Sequence, residues 1–328
     1  MSHITIVCPG FPDLPGGVTD HTARLKASWE AAGHAVAVVS DASLSAPETD
    51  AQLIQYVPFL YGRRGLSPHP ERLARAARQR GVRVVVFVHE PWVPMTRLPW
   101  LVLGPLQRRQ LLRLLRHADV TVTAVPAWQR QLGGEVDVVY VGSNLGTPPE
   151  RVTPTLPAPV VFSPFAAGLA WDWAVAAINR IAATPPLIVL GADDVALAAH
   201  PATRRLDRTG WEARGRLDGP ATLELLRAAP LVLAPFVDGI TGRRTSVAAA
   251  LSTGARVVGS RGHLFDPVFG PGLAGVAATR EAFGATALRL WRQDDQPEDR
   301  ARRTAWYATH LDSVSLDTAL LRLLVGNA

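Results

Sequence analysis

One cysteine and one lysine occur in a chain of 328 residues. With Cys8 alone no disulfide framework can form, so a cytosolic protein is the expectation. Lys26 is the lone ammonium among 34 basic residues, and almost all positive charge therefore sits on arginine. No apolar run reaches the roughly 18 residues that would nominate a membrane-spanning helix. Zinc-ligand spacing is missing, as is any run of basic residues interleaved with aromatics, so nucleic acid is not an expected partner. The opening MSHITIVCPGF lacks a basic segment and a cleavage site and reads as a first core strand.

What is present points to a well-packed α/β protein. Hydrophobic residues make up 48% and charged residues 19%, a balance that suits strands buried on both faces. The net charge of +6 is carried by arginine beside much alanine. Genomic composition accounts for that pairing, and so does a protein that handles phosphate, which a guanidinium grips through two parallel hydrogen bonds.

Short apolar runs alternate with helical patterns, the signature of parallel sheets. In the first half, strands are expected at 3–8, 35–39, 53–57, 82–88, 120–124 and 136–141, with helices at 21–32, 70–80, 105–117 and 127–132. In the second half, strands are expected at 160–163, 187–190, 231–236 and 256–259, alternating with helices at 171–182, 220–228, 245–253 and 279–292. The stretch GTPPERVTPTLPAP, residues 146–159, holds five prolines and cannot continue a helix or a central strand, so a hinge is placed there. The expected organisation is an N-terminal Rossmann-like domain over 1–150, a C-terminal one over 151–300, and helices over 301–328 packing back on the first. Ligands of doubly wound sheets bind outside the carboxyl ends of the strands, so a cleft where those ends face each other is the expected site.

Three turns carry candidate chemistry. After the first strand, Gly16 and Gly17 precede a helix whose early residues are Thr19, Asp20 and His21; glycine lets a ligand approach the backbone, and a helix start favours an anion. A simple tight turn explains the same pair, and the GxGxxG dinucleotide fingerprint is missing. After the fourth strand, VVVFVHEPW delivers His89 and Glu90 at a strand end, suited to a sugar hydroxyl, a leaving phosphate or an acceptor hydroxyl. In the second half, PFVDGITGRRTS sets the N–H groups of Ile240, Thr241 and Gly242 near a helix start. Arg243 and Arg244 add charge there, and Asp238 is suited to accept hydrogen bonds from sugar hydroxyls. An ordinary capped helix with a surface acid–arginine pair is the plainer reading.

Taken with HADVTVTAVPAW, VGSNLG and ALSTGARVVGS, these motifs resemble, in order and spacing, the retaining GT-B glycosyltransferases of the family-four type, over most of the chain. The resemblance implies two Rossmann-like domains facing each other across a cleft, a nucleotide-diphosphate sugar on the second, and an acceptor glycan, lipid or small molecule mainly on the first. It implies that Gly16 and Gly17 approach the donor phosphates and that His89 lies beside the transferred sugar. His21 and Glu90 are assigned to the acceptor side. Asp238 falls on the acid that contacts the sugar ring. Ser246 stands where the family has a second acid for the nucleotide ribose. The leaving phosphate itself helps deprotonate the acceptor in such enzymes, so no cofactor and no dedicated protein base is expected. No Asp-x-Asp stands where metal-dependent transferases have one; Asp193 and Asp194 are read as shaping a turn, and no metal is expected.

The chain departs from the family after the first strand of the second domain. Residues 160–173, VVFSPFAAGLAWDW, contain no basic residue where an arginine and a lysine usually neutralise the diphosphate. Arg243 and Arg244, with Arg261 as a third candidate, are expected to supply that charge. A degenerate, non-catalytic relative that binds a nucleotide, glycan or protein partner is the alternative. In PLQRRQLLRLLRH, residues 105–117, Leu111, Leu112 and Leu115 share one helical face and Arg109, Arg113 and Arg116 the other. A helix packed on the sheet is the preferred reading; weak peripheral contact with the inner membrane face is the other.

Overall fold

The computed structural model describes residues 1–14, 16–41, 49–95, 98–149, 156–162, 168–183 and 186–326. Strands β1 (His3–Val7), β2 (Ala35–Val39), β3 (Ala51–Tyr56), β4 (Arg83–Val88), β5 (Val120–Thr123) and β6 (Val136–Val138) form a parallel sheet ordered β2-β1-β3-β4-β5-β6. Helices α1 (Gly17–Ala31), α2 (His69–Gln79), α3 (Leu98–Leu115) and the short α4 (Gln129–Leu132) lie between them in the chain. All six residues of β3 are buried, as are five of six in β4, because both faces of this sheet are covered.

A second parallel sheet contains β7 (Val160–Phe162), β8 (Ile188–Leu190), β9 (Glu212–Ala213), β10 (Val232–Ala234), β11 (Val257–Ser260) and β12 (Gly275–Ala277), in the order β12-β11-β10-β7-β8-β9. Its helices are α5 (Trp171–Ile181), α6 (Asp194–Ala199), α7 (Gly219–Ala228), α8 (Thr245–Ser252) and α9 (Arg280–Trp291), followed by α10 (Pro297–His310) and α11 (Ser313–Val325). Both sheets are doubly wound. The strand order reverses beside β1 in the first and between β7 and β10 in the second, and loops leaving the strands at those points are the places for a ligand.

The chain divides into two compact units, Met1–Val141 with Ser313–Ala328, and Gly142–Asp312. These limits differ from the expected 150/151 and 300/301 because α10 belongs to the second unit and only α11 returns to the first. Of the expected hinge over 146–159, residues 150–155 lie outside the described residues. In the first unit Leu320 and Leu324 of α11 join a core of Ile6, Leu25, Trp29, Leu53 and Phe87. The Trp29 indole donates to the Asp317 carbonyl at 3.1 Å, and Asp317 pairs with Arg24 at 3.1 Å.

Three expectations need correcting. Helix α3 begins seven residues before Pro105, which stands inside it rather than at its first turn. The two-residue β9 and the three-residue β12 were not expected; they are edge strands, mostly half-buried, and lack an apolar run to announce them. Asp193 is the N-cap of the unexpected α6, its carboxylate accepting from the Ala196 N–H at 2.7 Å.

In the second unit Arg303, only 2% exposed, donates through Nη2 to both oxygens of Asp295 at 2.7 and 2.8 Å and through Nε to the Gly254 carbonyl at 2.9 Å. Arg300 and Arg256 stand 3.3 and 3.9 Å from the same carboxylate and soften its loss of a partner. Arg303→Leu is therefore expected to destabilise the protein by about 2–3 kcal/mol, below the full cost of an uncompensated buried charge, as read from the urea unfolding transition.

Candidate functional site

In the second unit the loop from Pro235 to Arg244 leaves β10 at the point where the strand order reverses. It is fixed to the following loop by two backbone hydrogen bonds, Leu264 N–H to Asp238 C=O at 2.9 Å and Asp266 N–H to Ile240 C=O at 3.0 Å. The Ser260 hydroxyl adds a third tie, to the Phe236 carbonyl at 2.5 Å. Gly239 has φ +93°, and a Cβ there would lie 2.7 Å from the Gly262 nitrogen and 2.9 Å from Phe265 Cβ. Only glycine fits this turn. On its other side the loop meets the segment after β7, where Val237 donates to Gly168 and Ala170 to Pro235, each at 2.7 Å. Residues 163–167 of that segment, within the stretch that lacks the family's basic pair, lie outside the described residues.

The charges in this loop form one cluster. Arg243 Nη2 meets one Asp238 oxygen at 2.5 Å, and Arg244 Nη2 meets the other. The Arg244 guanidinium also lies 4.1 Å from the centroid of the Phe236 ring. Asp238, expected to accept hydrogen bonds from sugar hydroxyls, has a guanidinium against each carboxylate oxygen, because the turn at Gly239 folds positions 243 and 244 back over it. Among the described residues, two guanidiniums thus face one carboxylate, all three side chains being largely buried. Nearby, Ile240, Thr241 and Gly242 are all buried. No acceptor among the described residues takes their backbone N–H groups, and the Thr241 hydroxyl has no hydrogen-bond partner there either. Buried donors of this kind are costly unless something satisfies them. Ser246 is the second residue of α8, also buried. Arg261 is exposed, its guanidinium 5.7 Å from the centroid of the Phe265 ring.

The first unit gathers a different set at the strand ends. His89 follows β4, is buried, and stacks on Phe87 with centroids 4.4 Å apart. Its Nε2 lies 2.5 Å from Gln55 Oε1, which fixes the ring's orientation. His21, in the first turns of α1, sits edge-on to both Phe87 and His89, at 5.4 and 5.5 Å. Glu90 is half-buried beside them in sequence, its N–H 3.5 Å from the Tyr56 carbonyl. Gly17 is the first residue of α1 and Gly16 its N-cap, both exposed. Gly16 is extended, and a Cβ there would meet only Thr19 Oγ1 at 3.9 Å, so the fold itself does not demand glycine. Gln55 was not anticipated; two glutamines, Gln52 and Gln55, inside a wholly buried strand were the available signal.

Among the described residues no group of three or more His, Cys, Asp or Glu is placed to hold a metal ion. No protein-family model matches the chain, and no curated protein sequence does. Solved structures do match. A glycosyltransferase involved in avilamycin A biosynthesis aligns with TM-score 0.65 at 16% identity, covering 98% of this chain and 97% of its own. Sucrose-phosphate synthase from Thermosynechococcus elongatus aligns with TM-score 0.70 at 14% identity, covering 98% of each chain. Anabaena Alr3699/HepE, in complex with UDP and glucose, gives 0.69 at 14% identity over 98% of this chain and 99% of its own. At such identities the likeness is one of architecture, and the chain has the GT-B fold.

Burial above all, with Arg24 and His89 adding to it, holds His21 well below the ordinary imidazole value of 6.5. The unfolded chain therefore binds a proton at His21 that the folded chain does not. Stability from the neutral ring is complete above about pH 6.5 and is lost as the pH falls below it, at up to roughly 1.4 kcal/mol per pH unit. His21→Gln is expected to flatten this slope. The check is the difference in unfolding free energy between the two proteins at pH 7.5 and 5.5.

Proposed function

We propose that the protein transfers a sugar from a nucleotide-diphosphate sugar to an acceptor hydroxyl, with retention of configuration and without a metal ion. The observation that carries this reading is the loop after β10: three buried N–H groups without an acceptor among the described residues, beside two guanidiniums gathered on one carboxylate at the start of α8. A diphosphate matches that arrangement in sign and in its need for several donors. The doubly wound topology supports it, since the loop leaves the sheet where its strand order reverses.

In this reading Arg243 and Arg244 replace the basic pair missing after β7. Asp238 acts on the donor through them, holding both guanidiniums in register, rather than by gripping the sugar. The bond from the anomeric carbon to the phosphate oxygen breaks as the acceptor oxygen bonds on the same face, and the acceptor proton passes to the departing phosphate. Charge growing on that phosphate is stabilised by the arginines and by the N–H groups of Ile240, Thr241 and Gly242. The Thr241 hydroxyl is a further donor, and Ser246 takes the ribose. On the first unit Gly16 and Gly17 admit the phosphates, His89 stands beside the transferred sugar, and His21 and Glu90 shape the acceptor side, the acceptor being a glycan, lipid or small molecule. The UDP and glucose bound by the Anabaena neighbour make UDP-glucose the first donor to try.

Calorimetric titration with UDP, GDP, ADP and TDP and their sugars tests the donor half. Arg243→Ala and Arg244→Ala are each expected to weaken nucleotide binding about tenfold or more, the loss of a charged hydrogen bond of roughly 1.5–3 kcal/mol. Unchanged affinity in both would overturn the assignment. Binding without donor hydrolysis or transfer across acceptors would turn the reading to the non-catalytic alternative.

Thr241→Val gives an independent check on the same loop. Because the hydroxyl makes no hydrogen bond among the described residues, the variant is expected to unfold within about 1 kcal/mol of the parent or slightly later. Its nucleotide affinity should nonetheless fall severalfold.

A further inference from the structure

Helix α3 is held to the first unit by one face. Gly104, Gln107, Leu111 and Leu114 are buried. The Gln107 side chain accepts from the Val93 N–H and donates to the Arg64 carbonyl, both at 2.9 Å, while Gln110 accepts from the Ser67 N–H at 2.6 Å. These contacts fix which side of the helix looks outward.

The outward side is divided along its length. Its N-terminal half presents Leu98, Leu101, Val102 and Leu106, spaced as one helical face, with Leu98 83% and Val102 68% exposed. Met95, just ahead of the helix, is exposed beside them. The C-terminal half continues the same face with Arg109 and Arg113, and Arg116 follows directly after its last residue. A surface cavity of about 790 Å³ joins the halves, lined by Met95 and Leu112 together with Arg108, Arg109, Arg113 and Arg116. Residues 98–117 contain no acidic side chain. Leu111 is buried, whereas Leu112, expected on the same face, lines the cavity beside the arginines; the exposed Leu98, Leu101 and Val102 lie upstream of Pro105, where the expected helix began.

We infer that this face is a docking surface for an anionic phospholipid bilayer. Single exposed apolar side chains are ordinary, but four on one helical stripe with a methionine alongside form a patch that water solvates poorly. About 12 Å of helix separates Leu98 from Leu106, and a similar length carries the arginines. Lying along the membrane, the first length buries its side chains at the acyl boundary while the second sets guanidiniums among lipid phosphates. Charge decides between occupants. A second copy of this chain would bring its own arginines against these. Nucleic acid would satisfy the arginines but leave the leucines and valine in water.

The test is co-sedimentation of the full chain with vesicles of phosphatidylglycerol and phosphatidylcholine, compared with phosphatidylcholine alone, at 0.1 M and 0.5 M sodium chloride. The expected result is binding to the anionic vesicles that weakens in high salt and is absent from the neutral ones. Replacing Arg109, Arg113 and Arg116 by serine should reduce partitioning by about fivefold for each arginine lost. Leu98→Glu with Val102→Glu should abolish it. All these positions are at the surface, so unchanged thermal unfolding will show that the variants fold. No binding to anionic vesicles, or equal binding to neutral ones, overturns the inference. So does a dimer that Leu98→Glu dissociates without changing sedimentation, or retention on duplex DNA that needs only the arginines.

Discussion

Two glycines let a pair of loops in the second unit pass closer than any side chain would permit. A Cβ on Gly262 would lie 2.3 Å from the Asp238 carbonyl carbon, and one on Gly239 would lie 2.7 Å from the Gly262 nitrogen. Because they pass so close, the carbonyls of Asp238 and Ile240 are taken by Leu264 and Asp266. The intervening backbone is thereby immobilised, with its N–H groups left over. The same turn brings positions 243 and 244 back onto position 238. Steric economy at two residues thus organises both the donors and the charge.

The ion cluster also clarifies what an acid does beside two arginines. Isolated, neighbouring guanidiniums repel and would splay into solvent. With a carboxylate between them they are held at short range, and one of them lies over the Phe236 ring. Such a cluster keeps its guanidiniums oriented before any anion arrives, which lowers the reorganisation needed when charge develops.

Much of this architecture could be read from residue order. Strands β3 and β4 are legible because both faces are buried, so their side chains are almost uniformly apolar and need no register to interpret. The glutamines of β3 are the exception, and one of them orients His89. Edge strands β9 and β12 leave no comparable trace, since they are only partly buried and lack the apolar run that marks the equally short β8 and β10. Helix α3 was half legible: proline is favoured in a first turn and costly inside a helix, so Pro105 pointed to a start there, and the helix runs through it where Gln107 and Gln110 tie it to the loops around Arg64, Ser67 and Val93. The Asp238 loop was legible in composition but not in pairing. Whether an acid meets a ligand or the arginines five and six places on depends on the backbone path through Gly239, which side-chain spelling does not encode.

The return of α11 to the first unit has a consequence for the order of events at the ribosome. Trp29, Arg24 and Arg83 find partners at Asp317 and Leu323, and Leu320 and Leu324 fill part of the same core. Vectorial synthesis delivers those residues only after the whole of Gly142–Asp312 has emerged. The half of the polypeptide made first is therefore finished last, and its apolar seam waits uncovered while the later half is still being translated.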